Sequence, residues 1–236
     1  MRYQAIFFDL DGTLLPMDFD TFTKGYLGLL SKAVAPLGYE AATMVPAMWK
    51  GVSSMMKNDG SRPNSEVFWE VFSKVLGKDA RVDTPTFDAF YEDEQGFHRA
   101  VAFTQPTPLA ARIVALAHEK ADKVVLATNP LFPRVAVTSR MSWAGLGAED
   151  FDWITDYDNS STCKPNPAYF LEIAKEIGVD PAQCLMIGNN AQEDIEAAQK
   201  AGLDTYLITD CLICEGKTPD CKKGSFADCI AFLEAI

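Results

Sequence analysis

The feature that most constrains the fold of this chain is an apolar run near its start that ends in two acids, residues 5–12, AIFFDLDG. A short continuous apolar run is typical of a strand buried on both faces of a parallel sheet. Asp9 and Asp11 are two residues apart, so on an extended chain both side chains point to the same side, and Gly12 permits a sharp turn after them. Taken alone, the run equally fits a buried strand followed by an acidic surface turn. Because ligands of open α/β sheets bind beyond the carboxyl ends of the strands, this strand end is a candidate site.

Composition and charge limit the classes of partner. The chain has 236 residues, 48% hydrophobic and 23% charged, which is typical of a globular protein with one large domain or two modest ones. The net charge of −12 argues against nucleic acid or an anionic membrane surface as a partner. An anionic substrate is still possible, since a bound divalent cation reverses the local charge. The sequence gives no information on oligomeric state.

The sequence also predicts where the protein resides. No apolar run approaches the roughly 20 residues of a membrane span, and no signal peptide is recognisable, so we expect a cytoplasmic protein with reduced cysteines. Cys211, Cys214 and Cys221, with Cys229 as a possible fourth ligand, weakly resemble a metal site. A single C-x-x-C pair is a weak signal and Cys229 falls in a helix-like stretch, so plain thiols are favoured over zinc.

Hydrophobic periodicity divides the chain into a helical part and an alternating part. Residues 17–98 contain four stretches with apolar residues at helical spacing and no convincing strand, which suggests a small helical bundle. After residue 98, predicted strands at 123–128, 151–155, 184–187 and 204–208 alternate with helices, including one over 191–201. This alternation is typical of a parallel sheet with helices on both faces. The first strand has no partner within 17–98, so it must pair with the later strands and the helical part must be an insertion.

Polar clusters follow three of these strands. They are Thr128-Asn129, Lys164 within TCKPNP, and Gly188-Asn189-Asn190 with Glu193 and Asp194 one turn later. Each has an ordinary structural explanation, such as a helix cap, a solvated lysine or an acid at a helix N-terminus. Their joint position at consecutive strand ends is better explained by a single site.

Together these motifs resemble the haloacid dehalogenase-like (HAD) hydrolase superfamily, most closely its phosphoglycolate phosphatase-like members. The resemblance is carried by DLDGT at 9–13, the Thr-Asn pair, Lys-Pro-Asn-Pro and the late Gly-x-x-x-x-x-Asp. It implies a Rossmann-like α/β core formed by 1–16 and 99–236, with an all-α cap at 17–98 that closes over the site. Trp49 and Trp69 are expected to pack inside that cap.

The resemblance also implies catalytic roles. Asp9 would attack phosphorus as the nucleophile and form an aspartyl-phosphate, and Asp11 would act as general acid and then as general base. The phosphate group would be bound by Gly12, Thr128, Asn129 and Lys164, and Lys164 would also neutralise charge near Asp9. Mg²⁺ would be the cofactor, bound by Asp9, the backbone carbonyl of Asp11, Asn189 and Asp194.

One position departs from the family pattern. Members with this form of the last motif usually carry an aspartate directly after the glycine, where this chain has Asn189. An amide oxygen binds Mg²⁺ without adding charge, so metal affinity should be lower. We predict a Mg²⁺-dependent phosphatase of a small phosphomonoester metabolite. The alternative is a catalytically weakened protein that binds phosphoesters or acts as a scaffold. A dehalogenase is disfavoured because carbon–halogen hydrolysis does not need the acid that Asp11 supplies.

Overall fold

The computed structural model describes residues 2–236, and its centre is a six-stranded sheet. The strands are β1 (Tyr3–Phe8), β2 (Ala121–Leu126), β3 (Trp153–Ile154), β4 (Cys184–Gly188), β5 (Asp204–Ile208) and β6 (Lys222–Gly224). They lie in the order β3-β2-β1-β4-β5-β6, and every neighbouring pair is parallel. The predicted fold class, a parallel α/β sheet, is confirmed.

Strand β1 lies at the middle of the sheet, as expected for a continuous apolar run. Ala5 to Phe8 are fully buried, and Phe8 lies opposite Leu126 of β2 and Ile187 of β4. The first strand therefore pairs with strands from beyond residue 98. Because all three strands are parallel, their carboxyl ends meet at one edge.

Helices cover both faces of the sheet. They are α5 (Leu109–Lys120), α6 (Arg134–Trp143), α7 (Ala168–Ile177), α8 (Ala197–Ala201) and α9 (Phe226–Ala235). Side chains alternate along β1, so Phe7 packs with α7 and α8 on one face. Phe8 packs on the other face, in the cluster that includes α5, α6 and α9.

The inserted helices are α1 (Phe19–Val34), α2 (Ala41–Met55), α3 (Asn64–Leu76) and α4 (Thr84–Glu92), followed by a 3₁₀ helix at Phe97–Phe103. The chain enters and leaves this part side by side, because Met17 and Thr104 form an antiparallel bridge. We propose these two crossings as the boundaries of the cap. The boundary at residue 98 stays a prediction. The 3₁₀ helix spans that position and packs on α1 through Phe97 and Tyr26, whose ring centroids are 5.7 Å apart.

Two predicted elements differ in the structure. The strand at 204–208 is not the last, since β6 pairs with it at the sheet edge. The three residues of β6, KKG, carry no apolar pattern, so periodicity could not reveal them. The predicted single helix at 191–201 begins as a π-helix, Ala191–Glu196, before α8.

Local hydrogen bonds account for the π-helix. The Asn190 side chain accepts the amide N–H groups of Gln192 and Glu193, and the Asp194 carboxylate accepts the N–H of Asn190 at 2.9 Å. The Ile195 N–H donates to Asn190 O at 3.3 Å, which is the five-residue spacing of a π-helix. Such π segments are frequent at functional sites.

No helix within residues 2–236 has both the length and the apolar character needed to cross a bilayer.

Candidate active site

Backbone hydrogen bonds continue past the strand ends and bring the predicted residues together. The Asp9 N–H donates to Ile187 O at 3.0 Å, and the Ala127 N–H donates to Phe8 O at 2.7 Å. The chains leaving β1, β2 and β4 therefore stay in register for another residue. Asp9, Thr128 and Asn189 lie buried at this one edge.

Both carboxylate oxygens of Asp9 have partners. The Lys164 Nζ donates to Oδ1 at 2.9 Å, and the Thr13 Oγ1 donates to Oδ2 at 3.2 Å. These two contacts fix the orientation of the carboxylate. The sequence identified Lys164 for this position but gave no role to Thr13.

Lys164 is the centre of a buried charged group. Its side chain is 1% exposed, and its Nζ also donates to Asp194 Oδ1 at 2.6 Å. Burial would lower the pKa of Lys164, but Asp194 and Asp9 raise it overall, so the ammonium stays charged. Burial raises the pKa of Asp194, against the opposing effect of Lys164. The structure thus brings three predicted residues from distant parts of the chain into direct contact.

Asp11 is paired with an arginine that sequence reasoning missed. Arg140 of α6 is fully buried, and its Nη1 lies 2.9 Å from Asp11 Oδ2. Its guanidinium carbon lies 4.2 Å from the centre of the Phe132 ring. Burial raises the pKa of Asp11, and Arg140 opposes that rise. No sequence signal distinguishes Arg140 from other helix arginines.

Several polar atoms beside this pair have no protein partner. Asp11 Oδ1, Asn129 Oδ1, and Arg140 Nε and Nη2 are buried without a hydrogen bond to any residue in the range 2–236. Buried polar groups are normally hydrogen-bonded. Asp11, Asn129 and Arg140 all line the same cavity, so these atoms are candidates for contact with a bound molecule.

Asn189 is held at both ends of its amide. Its Oδ1 accepts the Thr13 hydroxyl at 3.0 Å, and its Nδ2 donates to Cys211 O at 2.7 Å. Gly12 lies directly against it, with φ of +87°, and a Cβ at Gly12 would be 2.3 Å from Asn189 Nδ2. Only glycine fits this close approach.

The amide of Gly12 already has a partner within the chain. Its N–H donates to Leu15 O at 2.8 Å. The predicted phosphate-binding role of Gly12 therefore stays a prediction, and what the geometry requires of this residue is room for Asn189.

Thr128 and Asn129 line the site at the end of β2. The backbone carbonyl of Thr128 accepts the Tyr169 hydroxyl at 2.7 Å and the Thr155 hydroxyl at 2.8 Å, which fixes the turn. The Asn129 Nδ2 donates to Glu193 Oε2 at 3.0 Å. Glu193 adds another acidic side chain to the site, and burial raises its pKa.

The donor set fits a hard divalent cation. Four carboxylates face two cationic side chains, Lys164 and Arg140; the acids are Asp9, Asp11, Glu193 and Asp194. Within residues 2–236, no group of three or more His, Cys, Asp or Glu side chains is arranged to hold a metal ion. Mg²⁺ does not require such a group, because it commonly uses one or two carboxylates and keeps several waters.

The four cysteines considered as zinc ligands differ in solvent exposure. Cys229 is buried in α9, whereas Cys211, Cys214 and Cys221 are partly exposed. All six cysteines are free thiols.

A cavity of about 440 Å³ lies between the strand ends and the cap. Its floor contains the acids and amides described above. Its walls come mainly from α1 to α4 of the cap. Trp49 is 47% exposed at this cavity rather than packed inside the cap as expected, whereas Trp69 is 8% exposed.

Comparisons with known proteins agree with this architecture. A family model described as haloacid dehalogenase-like hydrolase matches residues 3–202. A phosphoglycolate phosphatase of Neisseria gonorrhoeae is 27% identical over 208 residues, covering 87% of this chain and 80% of that protein. A glyceraldehyde 3-phosphate phosphatase of Methanopyrus kandleri is 23% identical, covering 87% and 83%. The magnesium-bound structure of the HAD-hydrolase YfnB from Bacillus subtilis superposes with a TM-score of 0.62 at 20% identity, covering 99% and 100%.

Proposed function

The chain belongs to the haloacid dehalogenase-like hydrolases, and from this membership we propose that it is a phosphatase that cleaves a small phosphomonoester through an aspartyl-phosphate. The observation that carries the proposal is the placement of Asp11. This second acid lines the cavity beside Asp9, and burial raises its pKa, which favours the protonated form needed by a general acid.

In the first step, a carboxylate oxygen of Asp9 attacks phosphorus and the bond from phosphorus to the leaving oxygen breaks. The carboxylic acid of Asp11 gives its proton to that oxygen, so the alcohol leaves neutral. Lys164 and Thr13 hold the Asp9 carboxylate in place for the attack.

In the second step, water attacks phosphorus and the bond to Asp9 breaks, which releases inorganic phosphate. The Asp11 carboxylate, left ionised by the first step, takes a proton from this water. Phosphoryl transfer needs mainly positioning and electrostatic stabilisation. Lys164, Thr128 and the side chain of Asn129 would contribute both.

We expect Mg²⁺ to be held by Asp9, the backbone carbonyl of Asp11, Asn189 and Asp194. When bound, it would neutralise charge between the acids and the phosphoryl group. The site has four acidic side chains and two cationic ones, and this excess of acids supports the need for Mg²⁺. The magnesium-bound form of the similar YfnB is consistent with it.

Relatives from two lineages support phosphomonoester hydrolysis. The similar proteins of Neisseria gonorrhoeae and Methanopyrus kandleri carry the names of phosphatases acting on small phosphorylated compounds. The competing possibility is a protein that binds phosphoesters without turning them over, because Asn189 adds no charge to a metal site.

Hydrolysis of p-nitrophenyl phosphate in millimolar Mg²⁺ tests the proposal. We expect turnover by the wild type and a loss of at least about 10³-fold in Asp9→Asn, which removes the nucleophile. Asp220→Asn, at an exposed aspartate before β6, is the matched control and should keep full activity. If Asp9→Asn keeps its activity, the proposed aspartyl-phosphate mechanism is wrong. If no member of a broad phosphomonoester panel is hydrolysed, the phosphatase proposal is wrong and the non-catalytic alternative holds.

A further inference from the structure

We propose that the substrate is the phosphate ester of an apolar alcohol, with its alkyl or aromatic group enclosed by the cap. This inference rests on the proposed phosphatase function and specifies the substrate class. Its basis is the contrast between the floor and the walls of the 440 Å³ cavity.

The walls contributed by the cap are almost entirely apolar. Of the fourteen residues between 17 and 98 that line the cavity, twelve are aromatic or aliphatic, the exceptions being Thr23 and Asp88. Helix α2 alone contributes Met48, Trp49 and Val52. The surface that a leaving group meets on the cap side is therefore hydrophobic, and burying an apolar group against it is favourable.

Within residues 2–236, the cavity offers one cationic side chain to an anionic group. This side chain is Arg140, whose Nη1 pairs with Asp11 while its Nε and Nη2 have no hydrogen-bond partner within residues 2–236. The cap's own basic side chains lie elsewhere; Arg62, for example, pairs with Glu70 at 2.6 Å. A carboxylate or second phosphate held against the cap walls would lose its hydration without gaining a charged partner there, because no basic residue of 17–98 lines the cavity.

Exposed apolar side chains also concentrate at the cavity. Phe19, Trp49 and Met56 are 51%, 47% and 38% exposed, and all three line it. Clustered exposed apolar side chains mark binding surfaces. Trp49, nearly half exposed and in the lining, gives a ligand an aromatic surface to contact.

The volume of the cavity also supports the phosphate ester of an apolar alcohol as the substrate. Pockets for ligands of drug-like size span about 300–1,000 Å³, and this one falls within that range. A two- or three-carbon phosphate would occupy the floor and leave most of the apolar wall facing water.

An n-alkyl phosphate series tests the inference in the wild type. Ethyl, butyl and hexyl phosphate have leaving groups of equal basicity, so differences in kcat/KM report burial and not chemistry. We expect kcat/KM to rise about fourfold per added methylene, or about 250-fold over the four methylenes from ethyl to hexyl. Phosphoglycolate, with its second anionic group, should be a poorer substrate than butyl phosphate.

A matched pair of variants locates the effect. Met56→Lys places a cation at the cavity wall. Val75→Lys places one outside the cavity, near the end of α3, and the exposed fractions of the two native side chains match at 38% and 39%. Met56→Lys should lower the hexyl-to-ethyl ratio of kcat/KM about tenfold or more, since a charge replaces apolar surface. Val75→Lys should leave the ratio unchanged.

The outcomes separate this inference from the proposed function. If ethyl phosphate or phosphoglycolate matches hexyl phosphate, the inference is wrong while the phosphatase assignment survives. If no ester is hydrolysed, the phosphatase assignment fails. Binding of the non-hydrolysable ethyl- and hexylphosphonates, followed by tryptophan fluorescence, then still decides the inference: tighter binding of hexylphosphonate supports it and equal affinity overturns it.

Discussion

At the scale of single residues, the site depends on pairs that are far apart in sequence. Asp11 and Arg140 are 129 positions apart, and Asp9 and Lys164 are 155 apart. In each pair a cationic side chain lies within hydrogen-bond distance of a carboxylate. Removing one partner leaves a buried charge uncompensated, which is costly.

Arg140→Met is expected to change the pH dependence of catalysis. Arg140 opposes the rise in the pKa of Asp11 that burial causes, so its removal should raise that pKa further. The general acid must be protonated, and activity falls as pH rises through its pKa. The basic limb of the kcat/KM profile should therefore move to higher pH by about one unit or more. Arg112→Met, at a surface ion pair, is the control. An unmoved or lowered limb would show that Arg140 does not set the state of Asp11.

Asn189→Asp should couple stability to Mg²⁺. The wild-type amide donates to Cys211 O at 2.7 Å, and a carboxylate there would instead place two acceptors face to face. We expect a loss of about 1–3 kcal/mol in EDTA, recovered on adding Mg²⁺, with a larger Mg²⁺-dependent shift in Tm than the wild type shows. Asn166→Asp is the control, because Asn166 is exposed and its side-chain oxygen only accepts the N–H of Ala168, which a carboxylate can also accept. Equal Mg²⁺ responses of variant and wild type would mean that residue 189 is not a metal ligand.

At the scale of elements, the strand ends and the turns after them place the chemistry. The π-helix after β4 directs Asp194 back toward Lys164, and Gly188 makes room for it. A Cβ at Gly188 would lie 2.3 Å from Asp194 Oδ2. Hydrophobic patterning revealed β1, β2, β4 and β5, because they contain continuous apolar runs, and the major helices, because each buries one consistent face. It could not reveal the π-helix, which is defined by local hydrogen bonds. It also could not reveal β6, an exposed strand at the edge of the sheet without apolar residues.

A pair of glycine substitutions tests this placement. Gly188→Ala should destabilise the fold by about 1–3 kcal/mol through overpacking and lower activity by displacing Asp194. Gly28→Ala is the control, because Gly28 is exposed within α1 and its Cβ would meet nothing within 4 Å. That substitution should stabilise the protein by about 0.5–1 kcal/mol. Thermal unfolding and kcat of both variants provide the check; a Gly188→Ala protein with wild-type Tm and kcat would contradict the argument.

At the scale of the whole molecule, the cap and the core share one buried apolar cluster. Asn64 at the start of α3 joins them directly, since its N–H donates to Ser160 O at 2.9 Å and its side chain donates to Cys163 Sγ at 3.3 Å. The cavity lies where these two parts meet.

Thiol alkylation should report whether the cap stays packed on the core. Burial raises the pKa of Cys163 and of Cys184 to about 12, so both stay protonated and unreactive at pH 8. We expect iodoacetamide to modify Cys211 and Cys214 in the native protein and all six cysteines after unfolding, as measured by peptide mass spectrometry. Native-state modification of Cys163 as fast as that of Cys211 would show that the cap does not stay packed on the core.

The sequence by itself determined the parallel α/β sheet, the inserted helices and the set of acids, amides and lysine at the strand ends. It could do so because periodicity and turn residues are local, and because parallel strands always bring their carboxyl ends to one edge. Only the tertiary structure decided that Arg140 pairs with Asp11, that Asn189 is held by Thr13 and Cys211, and that the cap presents an apolar wall to the acids. These features depend on how elements distant in sequence pack against one another, and no local pattern records that.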